Sequence, residues 1–443
     1  TQQGSGFTDI ASASFALGTV KTVTAYAAPE WQFSGWSGDT NGCSIYDNTI
    51  TVPMSQSRQL IARFVRQNPV AGAARFVSPG GSHTPPFNTW LSAATNIQAA
   101  IDAASAGETI LVADGVYRLS AEIVVTKGVA LKSVNGPGLT VLDGCSITRC
   151  LRLSHTNGLV DGFTVTGGQA TNMGGGVLMD AGGLRHSRIE GNRSLLGNGG
   201  GIVLTQGCWI EYCHVLNNSA TNGSGGGIAE RDNSDNRPCL VQNCVIAGNE
   251  AKIGGGVAVS TGLELRGLFV KGNRASQYGG GVFAHILQMA NCTVVENEGG
   301  GVSVDWTTGA HIANSIIDRN HAGLNTVNFS GVDEFYFTQT YTVPFAGGFE
   351  TSPDYADPEH GDFRLRPGSA GINQGASQSW MTNAADLDGH PRVLDGQVDL
   401  GAWEYAGDRF LCDLAHTTQS AFLNEPVVLE AMVFGLNTNG LTY

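Results

Sequence analysis

A glycine triplet followed by an apolar segment recurs six times between Met173 and Asn320, and no other feature of the 443-residue chain constrains its fold as strongly. The triplets begin at Gly174, Gly199, Gly225, Gly254, Gly279 and Gly299. A second signal, a short apolar segment that ends in asparagine, runs in phase with the first, at Asn192, Asn218, Asn249, Asn273, Asn297 and Asn320. The repeat length of 20 to 31 residues is typical of solenoids, propellers and other repeat arrays.

The segments within each repeat predict a parallel β-helix. Each repeat holds two or three segments of about four to six residues, which suits strands and is too short for helices. Glycine triplets are poor helix formers, which argues against helical repeat arrays. The first apolar residue after each triplet should point inward and stack on its equivalents, with coils about 4.8 Å apart. These residues are Val177, Ile202, Ile228, Val257, Val282 and Val302.

The recurring asparagines predict a second stacked column at a corner of the coil. Asparagine is the commonest residue other than glycine in the left-handed conformation, so we expect these asparagines to adopt it in a tight turn. Aligned over several coils, their side chains are expected to hydrogen-bond to one another as a ladder.

The composition narrows the classes of partner. A net charge of −14 argues against nucleic acid or an anionic membrane as the main partner. The chain has no run of 18 apolar residues, so the sequence predicts no transmembrane segment. The chain begins at Thr1 without a methionine, and we therefore expect a processed protein or part of a longer one.

The chain has nine cysteines, an odd number that leaves at least one unpaired. Cys208 and Cys239 are expected to stack in the core, and Cys145 and Cys150 are close enough in sequence for a local disulfide. No pair has the CxxC spacing typical of zinc sites. Three cysteines share one repeat position that should face the core as stacked, buried thiols: Cys213, Cys244 and Cys292.

Breaks in the pattern predict five regions, all of them β-rich. They are a small β domain over 1–66, a linker over 67–74, the β-helix over 75–335, a C-terminal segment over 336–406 and an incomplete module over 407–443. The one helix expected, over 94–104, has apolar residues on a single face and either Thr95 or Asn96 as its N-cap. It is expected to cover the open end of the β-helix, where core and strand edges would otherwise be exposed.

The first region resembles a known surface module. The aromatic-rich segment 31–39 and the closing strand Ala62-Arg63-Phe64 resemble bacterial cell-surface repeats related to the internalin B-repeat. Trp31 and Trp36 are interpreted as the core of this small domain, with a sugar-stacking platform as the alternative.

Three further resemblances cover the rest of the chain. Segments 76–80, 96–104 and 112–117 resemble the opening of secreted bacterial β-helix proteins of the pectate-lyase-like superfamily. That resemblance implies a right-handed coil, three strands per turn and an extracellular location. Blocks 361–369, 386–392 and 398–405 are similar to the "choice-of-anchor Q" segment, and 407–443 looks like the first strands of a PKD or immunoglobulin-like module.

A candidate site follows from the same superfamily, which includes polysaccharide lyases. A lyase needs a base near the sugar C5 proton and a cation on the uronate carboxylate. Four residues beyond each triplet runs a column predicted to face outward: Asp180, Thr205, Arg231, Ser260, His285 and Asp305. The catalytic candidates are Arg231, His285 and Asp305, and the binding candidates are Asp180, Asp232, Asp235 and Arg237. The alternative is a solvated loop over 230–237.

The densest acidic group lies near the C-terminus. Asp386, Asp388 and Asp399 are candidate ligands for calcium, which prefers clustered carboxylate oxygens. Asp-Gly turns and strand-end caps are the alternative interpretation of these residues. No other cofactor is expected.

These observations favour a non-catalytic extracellular or cell-surface modular protein, adhesin-like or structural, with a glycan or another extracellular surface ligand as its partner. A polysaccharide lyase or another glycan-active enzyme acting on the β-helix face is the first alternative. A subunit of an extracellular filament, self-assembling by strand exchange at the incomplete C-terminal module, is the second.

Overall fold

A computed structural model describes most of the β-helix and parts of its flanking regions. The described residues are 6–8, 19–27, 31–46, 48–55, 58, 60–66, 74–205, 207–231, 237–260, 262–304, 310–321, 332–336, 338–340, 348–349, 353–382, 384–394 and 396–405. They fall into two compact units, one within 1–71 and the other within 72–407. The predicted module over 407–443 and nearly all of the predicted linker lie outside the described residues, so these boundaries stay predictions.

The N-terminal unit is built from antiparallel strands. Its strands are Gly6–Thr8, Val20–Ala27, Trp31–Gly38, Ser44–Tyr46, Thr49–Pro53 and Leu60–Arg66. Val23, Ile50 and Val52 form the core, and Trp36 packs against them, as the core interpretation of that tryptophan predicts. The side chain of Trp31 lies outside the described part of the chain.

The second unit is a right-handed parallel β-helix with three faces, which confirms the predicted fold class. The first face contains Ala74–Val77, Thr109–Val112, Ile123–Val125, Ala130–Ser133, Leu151–Asp161, Val177–Arg185, Ile202–Leu204, Trp209–Glu211, Ile228–Glu230, Cys239–Gln242, Val257–Val259, Leu263–Arg266, Val282–Ala284, Leu287–Ala290, Val302–Val304, Ala310–Ala313 and Val332–Tyr336. The second face contains Gly115–Arg118, Thr140–Asp143, Thr164–Thr166, Arg188–Glu190, His214–Leu216, Val245–Ala247, Phe269–Lys271, Thr293–Val295, Ile316–Asp318, Thr338–Thr340 and Gly348–Phe349. The third face contains Gln169–Ala170, Arg193–Ser194, Ser219–Ser224, Glu250–Ile253 and Arg274–Tyr278.

The first face changes character along the helix. Val177–Arg185 is one long strand, whereas the next coil divides the same face into Ile202–Leu204 and Trp209–Glu211, which pair with its two halves. Later coils keep this division. The first face therefore contains a break between two short strands in each of these coils, and Cys208 in the first of these breaks is buried in the core.

The predicted inward column is confirmed. Val177, Ile202, Ile228, Val257, Val282 and Val302 pair in register, are buried and belong to one core cluster that fills the helix interior. The predicted thiol column is also confirmed, because Cys213, Cys244 and Cys292 are buried and free in the same cluster. The amide N–H of Cys213 donates to Cys244 Sγ at 3.4 Å.

The predicted local disulfide is wrong. Cys145 lies exposed in a surface turn, whereas Cys150 is buried, and both are free. The Cys150 thiol lies 3.3 Å from the carbonyl oxygen of Thr166 and 3.7 Å from that of Leu142. Because that thiol is part of the core, burial raises its pKa to about 12.

The asparagine ladder is confirmed in full hydrogen-bond detail. Asn249 Nδ2 donates to Asn273 Oδ1 at 2.9 Å and to the carbonyl of Val215 at 2.9 Å. Its Oδ1 accepts from the backbone N–H of Asn218 at 2.9 Å and from Asn218 Nδ2 at 3.0 Å. The same pattern links Asn192, Asn218, Asn249, Asn273, Asn297 and Asn320.

One detail of the ladder corner differs from expectation. The left-handed residue is the one just before each ladder asparagine, with φ between +53° and +65°, at Gly191, Asn217, Gly248, Gly272, Glu296 and Arg319. The expectation that the ladder asparagine itself is left-handed is therefore wrong. The preceding residue makes the turn, which leaves the asparagine side chain free to align with the next coil.

The glycine triplet and the asparagine ladder depend on each other, because the glycines leave the space that the next coil and the ladder asparagines occupy. Gly225 is left-handed, with φ +70°. A Cβ on Gly226 would lie 2.4 Å from the carbonyl oxygen of Gly255 in the next coil, and one on Gly227 would lie 3.0 Å from Asn249 Nδ2. Any side chain at these two positions would push the coils apart, which explains why the two sequence signals run in phase.

The predicted helix is present as Ile97–Ala103, and Asn96 is its N-cap, accepting from the Ala99 N–H at 2.8 Å. Ile97, Ala100, Ile101 and Ala104 are buried in the core cluster of the β-helix, as expected for an end cap. Lys127 Nζ donates to three carbonyls at the far end of the helix, those of Ile101, Asp102 and Ala104.

The C-terminal segment folds back on the second face of the β-helix. Outward side chains Phe269, Val295 and Ile316 are buried together with Phe363 and Trp403 of the segment. The Phe269 and Trp403 ring centroids are 4.8 Å apart. The regular elements of the segment are Tyr355–Asp357, Pro358–His360, Asp362–Leu365 and Ser379–Met381.

The segment also covers the corner between the first and second faces. Asn243 donates to the carbonyl of Ala385, Asn291 to that of Asp399, and Asn314 to that of Ala376. In the coils before Asn243, the same corner holds His186, which is exposed, and Tyr212, which is half-buried.

A buried ion pair holds the segment together. Arg392 donates to Glu404 Oε1 at 3.1 Å and to the carbonyls of Gly401 and Ala402. Burial raises the pKa of Glu404 to about 8, against the opposing effect of Arg392, and also raises the pKa of Asp399. Several hydrogen bonds stabilise the ionised forms, but desolvation dominates.

The ladder predicts a graded response to mutation. Asn249→Ala leaves the amide of Asn218 and the carbonyl of Val215 without their partners, so we expect the free energy of unfolding to fall by about 2–4 kcal/mol. Asn320→Ala, at the partly exposed end of the ladder, should cost less. Asn135→Ala, at an exposed site, should change it by no more than about 0.5 kcal/mol. Urea unfolding measures all three, and equal losses at the three positions would contradict the ladder's role.

The buried carboxyls predict a stability that falls as pH rises. Below its ordinary pKa of 4.5, Glu404 is protonated in both the folded and the unfolded chain. Between that value and about 8 the unfolded chain releases the proton first, so unfolding becomes easier; the raised pKa of Asp399 acts in the same direction. We expect the thermal unfolding midpoint to decrease as the pH rises from about 5 to about 8. Glu404→Gln should make this dependence of the midpoint on pH weaker. If the pH dependence of the midpoint were unchanged in Glu404→Gln, it could not be assigned to the Glu404 carboxyl.

Candidate functional site

Backbone hydrogen bonds place three members of the predicted outward column at equivalent positions in their coils. The N–H groups of Thr205, Arg231 and His285 donate to the carbonyls of Met179, Leu204 and Val259 in the preceding coils. Arg231 and His285 are thus two rungs apart, about 10 Å at the ordinary strand spacing. Asp305, Asp232 and Asp235 lie outside the described residues, so a catalytic role for this column stays a prediction.

The binding candidate Asp180 is occupied by other protein groups. Its Oδ2 accepts from Arg152 Nε at 2.7 Å and from Ser154 Oγ at 2.9 Å. The hydrogen bond to Asp180 raises the pKa of the Arg152 guanidinium. The structure places Arg237 at the end of the insertion, where its carbonyl accepts from the Gly207 N–H at 3.2 Å.

Glu230 is a buried carboxylate that the sequence analysis did not single out. It pairs in register with Leu204 and is 3 % exposed. Its Oε2 accepts from the backbone N–H groups of Ser260 at 2.9 Å and Gly262 at 3.2 Å. The sequence could have shown this, because all the other coils that begin with a glycine triplet have an apolar residue at the position of Glu230. Glu230 fixes the turn that follows the next strand, beside Arg231.

The candidate calcium ligands are held by protein donors. Asp386 is fully buried and accepts from the N–H groups of Asp388, His390 and Glu404. Asp388 receives two hydrogen bonds from Arg364, at 2.7 and 3.0 Å, which raise the pKa of that guanidinium. Among the described residues, no three His, Cys, Asp or Glu side chains are grouped to hold a metal ion.

Asp399 has the same character, because its carboxylate accepts from the backbone N–H groups of Asn373 and Tyr405. These contacts match the alternative interpretation, in which the acidic group caps turns. Calcium binding at Asp386, Asp388 and Asp399 stays a prediction.

An aromatic surface on the open part of the first face escaped the sequence analysis. Trp209 is half-buried and pairs in register with Gly183 of the preceding coil. A Cβ on Gly183 would lie 2.1 Å from the indole ring, so the ring occupies the space that a side chain would fill. His186 and Tyr212, at the following corner, have ring centroids 5.6 Å apart and an interplanar angle of 20°. We call Trp209, Tyr212 and His186 the aromatic shelf.

A charged group lies beside the shelf. Asp161 Oδ1 contacts His186 Nδ1 at 2.9 Å, and its Oδ2 accepts from Arg185 Nε at 3.0 Å. Burial raises the pKa of Asp161, but hydrogen bonds from His186 and Arg185 outweigh it and hold that pKa below its usual range. Glu211 pairs in register with Arg185 on the next coil. The shelf is therefore flanked by fixed polar groups.

The residues the structure describes include no helix long and apolar enough to cross a membrane. Residues 1–68 match the family model of the divergent InlB B-repeat domain, which confirms the resemblance of the N-terminal region. No curated protein matches the chain.

Several solved structures resemble the β-helix. The pectate lyase Pel9A has 15 % identity and a TM-score of 0.49, over 76 % of this chain and 97 % of that one. A pectin methylesterase in complex with hexasaccharide VII has 13 % identity and a TM-score of 0.32, over 68 % and 95 %. The catalytic unit of a GH87 α-1,3-glucanase from Streptomyces thermodiastaticus has 13 % identity and a TM-score of 0.31, over 74 % and 72 %.

Proposed function

We propose that this chain is a non-catalytic, extracellular or cell-surface β-helix protein that binds a glycan. The observation that carries the proposal is the open first face, where partly exposed aromatic rings lie among charges that are already paired. Aromatic surface with a few fixed polar groups is typical of a ligand-binding surface.

The paired charges favour binding over proton transfer. Arg152 pairs with Asp180, Arg185 with Asp161, and Arg266 with Glu264. A carboxylate held by an arginine has its basicity reduced, so it is a poor base for abstracting a sugar proton at neutral pH. The described part of the first face therefore offers positioned hydrogen-bonding groups rather than a poised general base.

The flanking regions support display outside the cell. The N-terminal repeat resembles surface modules, and the proposal extends this to the blocks similar to the choice-of-anchor Q segment and to the PKD-like start at 407–443. In this arrangement the β-helix is one module of an adhesin-like or structural chain.

Binding and turnover can be separated in one experiment. We expect the full chain to be retarded in affinity gels that contain a polysaccharide, because the first face offers rings and fixed polar groups. With polyuronates, with or without Ca²⁺, we expect no ultraviolet signal from unsaturated products.

Release of unsaturated oligosaccharides would overturn the proposal in favour of a lyase, and unretarded migration in every gel would remove glycan binding. A chain that instead sediments as long polymers would favour the filament alternative.

A further inference from the structure

We propose that the aromatic shelf is a binding site for a neutral polysaccharide; this inference rests on the proposed function and assigns its ligand class. The shelf lies where the first face turns into the second, on the coils that precede the docked C-terminal segment.

The strain lies at the corner between the first and second faces. In the other coils this left-handed position is held by glycine or asparagine, which accept a positive φ easily: Gly162, Asn243, Gly267, Asn291 and Asn314. His186 and Tyr212 adopt φ +47° and +50° at the same position. Histidine is found at positive φ more often than most residues, but a bulky residue such as Tyr212 is an outlier in this conformation, and such strain clusters at functional sites.

Among the described residues, the hydrogen bonds of the C-terminal segment explain the asparagines of this corner but not these two residues. Asn243, Asn291 and Asn314 hydrogen-bond to the C-terminal segment, which explains their type. His186 is exposed, with 52 % of its side chain accessible, and Tyr212 is only half-buried. An aromatic pair at a strained and accessible corner is therefore explained better by an external ligand than by the fold.

The rings are positioned before any ligand arrives. The stacked His186 and Tyr212 rings fix each other, and Asp161 holds the His186 ring at 2.9 Å. Trp209 lies three residues before Tyr212, about 10 Å along the strand direction, against the backbone of Gly183. Fixed rings lose little side-chain entropy on binding, which favours affinity.

The chemistry selects a sugar. The C–H groups on one face of a pyranose ring pack on the electron-rich face of an aromatic ring. The hydroxyl groups at the ring edge would hydrogen-bond to Arg185, Asp161 and Glu211, and bonds to charged groups are the stronger kind. Rings in two places along the strand direction suit a chain of sugars rather than a single one.

The charge selects a neutral chain. Arg185 is already paired with Asp161 at 3.0 Å, and Glu211 adds a second negative charge beside it. The whole chain carries −14, so its field repels polyuronates. A neutral polysaccharide needs no free cation to bind and is not repelled by the negative charge of the chain.

The test compares affinity with stability in the full chain. Tyr212→Asn and His186→Asn place the residue that this corner favours, so thermal stability should stay equal or rise. Binding to neutral probes such as xyloglucan, galactomannan and mixed-linkage glucan should weaken about tenfold. Trp209→Ala should weaken binding similarly, and Trp380→Ala, at a half-buried tryptophan that contacts Arg266, should not.

The outcomes separate the site from the function. Loss of affinity in stable Tyr212→Asn and Trp209→Ala, with wild-type affinity in Trp380→Ala, supports the shelf. Wild-type affinity in all variants overturns the shelf while glycan binding stands. Binding of polygalacturonate or alginate in preference to every neutral probe overturns the ligand class, and binding of no glycan overturns both proposals.

Discussion

The contact between neighbouring coils at the ladder corner is the constraint on which the rest of this structure depends. Asn249 satisfies its side-chain amide and the backbone of the coil before it, and Gly227 leaves room for it to do so. Unsatisfied amides in this dry interior would cost more than the ladder bonds contribute, so spacing and pairing are specified together. Once coils stack at this distance, the apolar columns and buried thiols follow from period-two alternation.

Coil stacking leaves the outer surfaces to be decided by what packs on them. The C-terminal segment covers the second face with Phe363 and Trp403 and uses corner asparagines for its hydrogen bonds. The open first face next to it carries paired charges and the aromatic shelf. Where the corner residue is asparagine, it hydrogen-bonds to the chain's own C-terminal segment. Where it is Tyr212 or His186, we propose that it contacts a ligand.

Local periodicity made the β-helix, the inward column, the ladder and the capping helix predictable, because each leaves a repeated pattern in the sequence. The docking of the C-terminal segment was not predictable, since Phe269 and Trp403 are far apart in sequence and no period relates them. The shelf was missed because its signal is an exception: Tyr212 interrupts a corner column of glycine and asparagine that is visible only once the coils are in register. The prediction of a disulfide between Cys145 and Cys150 was wrong because proximity in sequence does not show which thiol faces the core.

Hydrogen–deuterium exchange of the full chain, with and without a neutral polysaccharide, tests the central claim most directly, because it locates a ligand without changing the protein. We predict added protection confined to the coils that carry the shelf, in peptides covering 183–188 and 209–214. Protection around Arg231 and His285 instead, or protection along the third face with the shelf unchanged, would contradict it.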